Sequence, residues 1–197
     1  MQDFPSAVRA AEAKLGSKAT ALRLRTGDAV AGGVMFPVPE GLTALAHVHD
    51  ELEAMGAYLF IVERGTPPVQ VSGSDGASPT LLAGEPDILA LLPTTDKFEV
   101  VRRVGTNGNG LHDSEQVLSW LRELDRTQPF KLVGVGFDFV EGVFVSAVHD
   151  PNAMARNVYT FCPDFWDQGL GLTQKGPPED GIAKYFTTER YFRFWWD

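Results

Sequence analysis

The chain carries 26 acidic and 17 basic side chains over 197 residues, a formal charge of −9 and a pI near 4.9, the wrong sign for displacing counterions from a phosphate backbone, so nucleic acid is not an expected partner. Hydrophobic residues at 44% exclude a largely disordered chain, and no apolar run approaches the roughly 20 residues of a membrane span. The opening Met1-Gln2-Asp3-Phe4-Pro5 lacks the basic and apolar regions of a secretory signal, and the single cysteine, Cys162, gives no internal disulfide, so a cytoplasmic setting is expected.

Phe4 to Leu15 places apolar and alanine positions at helical spacing and is ended by Gly16. Ala21 to Arg25 alternates as a strand, Gly27-Asp28 is a turn, and Val34 to Pro39 is extended, its prolines suiting an edge. Leu42, Leu45, Val48, Leu52 and Met55 recur at steps of three and four, which predicts an amphipathic helix closed by Gly56. Tyr58 to Val62 follows as a buried strand. The region from Gly65 to Gly84 is rich in glycine, proline and serine and reads as a loop. Within it, Val69-Gln70-Val71 and Thr80-Leu81-Leu82 are candidate hairpin strands.

Ile88 to Leu92 is a short strand stopped by Pro93. Asp96 with Glu99 and Asp113 with Gln116 have capping-box spacing and open two helices, the first ending at Gly105 and the second carrying an apolar stripe to Leu124. Leu132 to Phe139 reads as a strand, Asp138 to Gly142 as a turn, and Val143 to Val148 as its hairpin partner. Asp150-Pro151 caps a helix running to Phe161. In Tyr191 to Trp196 strand alternation puts Phe192, Phe194 and Trp196 on one face and Tyr191, Arg193 and Trp195 on the other.

The expected fold class is α+β: a ferredoxin-like βαββαβ C-terminal half, with an N-terminal αββαβ extension packed on its sheet or continuing it. The division expected is an N-terminal subdomain over 1–64, a loop over 65–84 and the ferredoxin-like domain over 85–197. That topology would pair the terminal strand with Ile88 to Leu92.

Six short motifs occur in order: Leu91-Leu92-Pro93-Thr94-Thr95-Asp96-Lys97, Thr106-Asn107-Gly108, Gly136-Phe137-Asp138, Phe161-Cys162-Pro163-Asp164, Asp167-Gln168-Gly169 and Trp195-Trp196-Asp197. Over Tyr58 to Asp197 the chain resembles the bacterial domain-of-unknown-function family numbered 4253. The resemblance implies a fold and a neighbourhood of residues rather than a reaction. From Asp167 to Arg190 the chain is rich in proline and glycine where many members are helical.

Cys162 falls at the C-terminal end of a helix beside Asp164, where dipole and carboxylate both oppose a thiolate. His47 and His49, two apart on a helix, point about 200° from each other and cannot share a metal. His47 with Glu51 could, as could His49 with Glu53, but each pair supplies only two ligands, and a helix-surface histidine beside an i+4 glutamate is the preferred account. No metal or other cofactor is expected. From Phe137 to Thr173 five acids face a single Arg156. With no catalytic motif present, the preferred reading is a non-catalytic protein-binding module, immunity-like or adaptor-like, whose acidic aromatic surface meets a basic protein partner. The candidate binding residues are Asp164, Trp166, Asp167, Gln168, Arg193, Trp195 and Asp197. The alternative is a small metal-independent hydrolase or transferase using Asp164, Asp167 and Asp197. The sequence carries no indication of oligomeric state.

Overall fold

A computed structural model describes residues 3–66, 69–71, 80–82, 85–173 and 175–197, with residues 69–71, 80–82 and 109 described as backbone only. Ser72 to Pro79, at the centre of the expected loop, lie outside the described residues. The chain is α+β and divides into two compact units, 1–95 and 96–197.

In the first unit, α1 (Phe4–Leu15) ends at Gly16 in the left-handed conformation, φ 62°, as the sequence predicts. β1 (Thr20–Arg23), β2 (Ala29–Val38), β3 (Tyr58–Glu63) and β6 (Asp87–Leu92) pair antiparallel in the order β1-β2-β6-β3. β2 is longer than expected and lies inside this order. Pro37, opposite Ile88 of β6, sits beyond the last β1 partner, Met35 opposite Thr20, so this stretch of β2 is an edge, where proline is tolerated. α2 (Gly41–Ala54) buries Leu45, Val48, His49 and Leu52. The Asp87 carboxylate accepts from the Gly41 N–H at 2.9 Å, placing a negative charge at the helix N-terminus. The uninterrupted apolar runs of β3 and β6 are buried on both faces. β4 (Val69–Val71) and β5 (Thr80–Leu82) form the expected hairpin.

In the second unit, α3 (Lys97–Val104) begins at Asp96, whose side chain accepts from the Phe98 N–H at 2.8 Å. Glu99 does not close a capping box; it pairs with Arg102 and Arg103 instead, and the Arg103 hydrogen bond holds its carboxyl below the usual range. α4 (Ser114–Thr127) has the full reciprocal box of Asp113 and Gln116. β7 (Phe130–Val135), β8 (Phe139–Phe144) and β9 (Tyr191–Trp195) pair antiparallel in that order. α5 (Pro151–Phe161) starts at Asp150 as expected, and α6 (Pro178–Thr188) follows two short turns, Phe165–Gly169 and Leu170–Leu172.

Three expectations are corrected here. The β7–β8 turn is Gly136 to Asp138, not Asp138 to Gly142. Glu141 and Gly142 are strand residues because Gly142 leaves room for the Phe192 ring, 2.4 Å from where a Cβ would stand, while Glu141 is buried beside Arg193. The second correction is α6, a helix in the stretch set apart from the helical family members by its proline and glycine. Pro178 serves as a permissible first helical residue, and Ile182, Ala183 and Phe186 supply the buried face. The third concerns topology. β9 pairs with β8, and the two partners of β6 are β2 and β3, so the ferredoxin-like pairing of the terminal strand with Ile88 to Leu92 is not formed.

The core of the second unit is aromatic. Phe192 and Phe194 of β9, and Trp196 just beyond its end, are fully buried, as alternation predicts. Phe194 meets Trp120 of α4 edge-on at 5.2 Å, and Phe144 meets Phe186 of α6 at 5.7 Å. Burying such rings stabilises by roughly 1.5–3 kcal/mol each, with directed ring contacts adding about 0.5–1.5 kcal/mol per pair.

Candidate functional site

Five of the six motifs lie wholly in the second unit, and the fold ties them together at one end of it. Thr106 is fully buried and donates its hydroxyl to the Gly136 carbonyl at 2.6 Å, while the Asn107 N–H donates to the Phe137 carbonyl at 3.1 Å. The turn at 136–138 is thereby held by the loop that follows α3. The Trp196 N–H donates to the Asp138 carbonyl at 3.0 Å, and its indole N–H donates to the Phe161 carbonyl at 3.0 Å. His112 Nε2 lies 2.9 Å from that same carbonyl, which can only accept, so this nitrogen carries the proton. The Phe161 ring is stacked between His112 and Trp120, at centroid distances of 4.0 and 4.4 Å. Gly108 approaches Trp196 so closely that a Cβ there would stand 3.4 Å from the indole.

The turn over Phe165–Gly169 completes this end. Asp164 accepts at one oxygen from the Asp197 N–H at 2.9 Å and at the other from the Gln168 side chain at 3.2 Å. The Cys162 thiol is fully buried and donates to the Trp195 carbonyl at 3.0 Å. Burial pushes its pKa up to about 12, the Asp164 carboxylate adding in the same direction. This is a packing thiol, held in the protonated form.

The sequence-predicted residues therefore separate into three groups. Asp164, Asp167, Gln168, Trp195 and Asp197 meet at this end, with Asp167, Gln168 and Asp197 exposed and Trp195 half-buried over Gly169. Trp166 is buried, its ring lying against Gly171 and Gly181, and acts in packing rather than at the surface. Arg193 sits on the β9 face opposite Phe194. Its Nε is 3.3 Å from Glu141, whose side chain is fully buried, and its guanidinium lies 5.2 Å from the Phe139 ring centroid.

Residues the sequence reading passed over join the site. Phe137 is 37% exposed and Leu111 59% exposed, and Asp138 is half-buried beside Trp196. Among the described residues none of Asp138, Asp164, Asp167 and Asp197 forms an ion pair with a lysine or arginine. The Asn107 amide oxygen is buried without a hydrogen-bond partner among the described residues, a local cost of about 1–3 kcal/mol carried by this loop. Asp138 was within reach of sequence reasoning, since it belongs to a motif that the resemblance had already marked.

These features are those of an α+β domain whose end is organised by short motifs around a tryptophan pair. The chain belongs to the family described as Domain of unknown function (DUF4253), which matches residues 88–197. No curated protein and no solved structure matches the chain. Among the described residues no helix is long and apolar enough to cross a membrane.

Proposed function

We propose that the second unit is a non-catalytic protein-binding module that engages a basic protein partner through the motif-built end, as an immunity-like or adaptor protein does. The observation that carries this reading is the grouping of Asp138, Asp164, Asp167 and Asp197 around the accessible rings of Phe137 and Trp195, with no lysine or arginine paired to the four carboxylates among the described residues. Aromatic anchors within an uncompensated acidic rim supply contact area and steer an oppositely charged surface. The engagement of both Asp164 oxygens by N–H donors supports a positioning use of that carboxylate over an acid–base one.

The test is capture from native cell extract on the immobilised chain, at low salt and then at raised salt, beside the variant Asp138→Lys/Asp167→Lys/Asp197→Lys. A stoichiometric basic protein is expected on the parent at low salt. It should be released as salt shortens the Debye length to about 8 Å and below, and be absent from the variant, whose melting temperature is unchanged. Recovery of no stoichiometric partner, or of one indifferent to the triple substitution, overturns the reading.

A further inference from the structure

In the first unit, the C-terminal half of α2 brings three ligand-bearing side chains together. His49, Asp50 and Glu53 place one ligand atom each within 4.8 Å of one another. Sequence spacing predicts a helix-surface histidine here, but the His49 side chain is only 9% exposed, packed edge-on to Tyr58 at 4.7 Å. Its Nδ1 is 2.9 Å from the Leu59 carbonyl. A carbonyl can only accept, so Nδ1 carries the proton, and Nε2 of the neutral ring presents a lone pair. That nitrogen is directed toward Glu53, whose Oε2 is 3.7 Å away, beyond hydrogen-bond distance. A buried nitrogen lone pair therefore faces carboxylate oxygens.

The Nδ1–H···O=C arrangement is how proteins fix a metal-binding histidine, setting tautomer and ring orientation from behind. The local field has the matching sign. These side chains lie at the C-terminal end of α2, where the helix dipole favours a cation, and the last turn of the helix contains no basic residue. The nearby Glu51 is paired with Lys14 at 2.7 Å, so that ammonium is directed to a different carboxylate. Asp50 is exposed and the Glu53 side chain 40% exposed, and Glu53 also lines an open cleft with Asp3, Phe4 and Met55.

We propose that His49 Nε2 and the carboxylates of Asp50 and Glu53 form a binding site for a divalent first-row transition metal ion, completed by water on the cleft side. One imidazole and two carboxylates suit zinc or manganese better than calcium or magnesium. Ligand atoms up to 4.8 Å apart close to the spacing set by metal–ligand bonds of about 2.0–2.2 Å when two carboxylates turn about their side-chain bonds. With three protein ligands, all from one helix, the ion keeps water in its coordination sphere, the arrangement of an open rather than a closed site.

The test is calorimetric titration of the chelator-treated 197-residue chain with zinc chloride, beside Asp50→Asn/Glu53→Gln and the control His47→Ala. The parent and the control are expected to bind one equivalent. The double variant, which removes only surface charge, is expected to melt like the parent and to bind at least about tenfold more weakly. In the ring-nitrogen spectrum of the parent, zinc should shift Nε2 of His49 while Nδ1 stays protonated. Absence of saturable binding overturns the site, as does binding that the double variant retains or a shift confined to the other histidines. The outcome is independent of the partner-binding reading, which concerns the other unit.

Discussion

Cys162 closes the C-terminal end of α5 with its thiol on the Trp195 carbonyl, and burial raises its pKa from 9.0 to about 12. In the unfolded chain the thiol loses its proton near pH 9, while in the folded chain it keeps it to about pH 12. The stability associated with that difference is fully present below pH 9 and is lost as pH rises from there, at about 1.4 kcal/mol per pH unit. Urea midpoints measured from pH 8 to 10.5 should therefore fall more steeply for the parent than for Cys162→Ala, in which the titrations of lysine and tyrosine are unchanged and cancel. Parallel curves would show that the thiol is not protected. The same burial predicts that iodoacetamide at pH 8 labels Cys162 only after denaturant is added.

At the scale of elements, Gly181 is the most telling position. It lies inside α6, where alanine is ordinarily favoured over glycine by about 1 kcal/mol. A Cβ at this site would stand 1.9 Å from the Trp166 ring, which fills the space. Gly181→Ala is thus expected to destabilise, by about 1–3 kcal/mol as overpacking does, and denaturant unfolding checks the sign directly. That contact also explains what the sequence withheld. Helices with local signals were legible at their ends: Gly16 after α1, the Asp113–Gln116 box before α4, Asp150-Pro151 before α5. α6 was not, because its interior Gly181 takes its meaning from Trp166, fifteen residues upstream. Likewise Glu141-Gly142 has turn composition, and only the long-range neighbours Arg193 and Phe192 make it a strand interior. The misplaced turn hid the Glu141–Arg193 pair as well, leaving Arg193 to be read as a candidate binding residue between two aromatics. The site residues were legible as motifs, whereas their convergence rests on backbone carbonyls at Gly136, Asp138, Phe161 and Trp195 that no side-chain pattern announces.

For the whole molecule, charge is the dominant long-range property. A formal −9 repels polyanions, and at the motif-built end the four aspartates have no lysine or arginine paired to them among the described residues. Fluorescence anisotropy with labelled duplex and single-stranded DNA at 50 mM salt is expected to show no binding up to tens of micromolar chain. Saturable binding there would run against the sign of the net charge and would redirect the search for a partner.

All four tryptophans, at 120, 166, 195 and 196, belong to the second unit, while Tyr58 is the only tyrosine of the first. Indole emission therefore originates from residues 96–197 alone. Far-ultraviolet circular dichroism, in contrast, sums helices from both units. Recorded on one sample through one thermal scan, the two signals separate the melting of each half without any label. Coincident midpoints identify a single cooperative transition, and an offset gives the order in which the halves come apart.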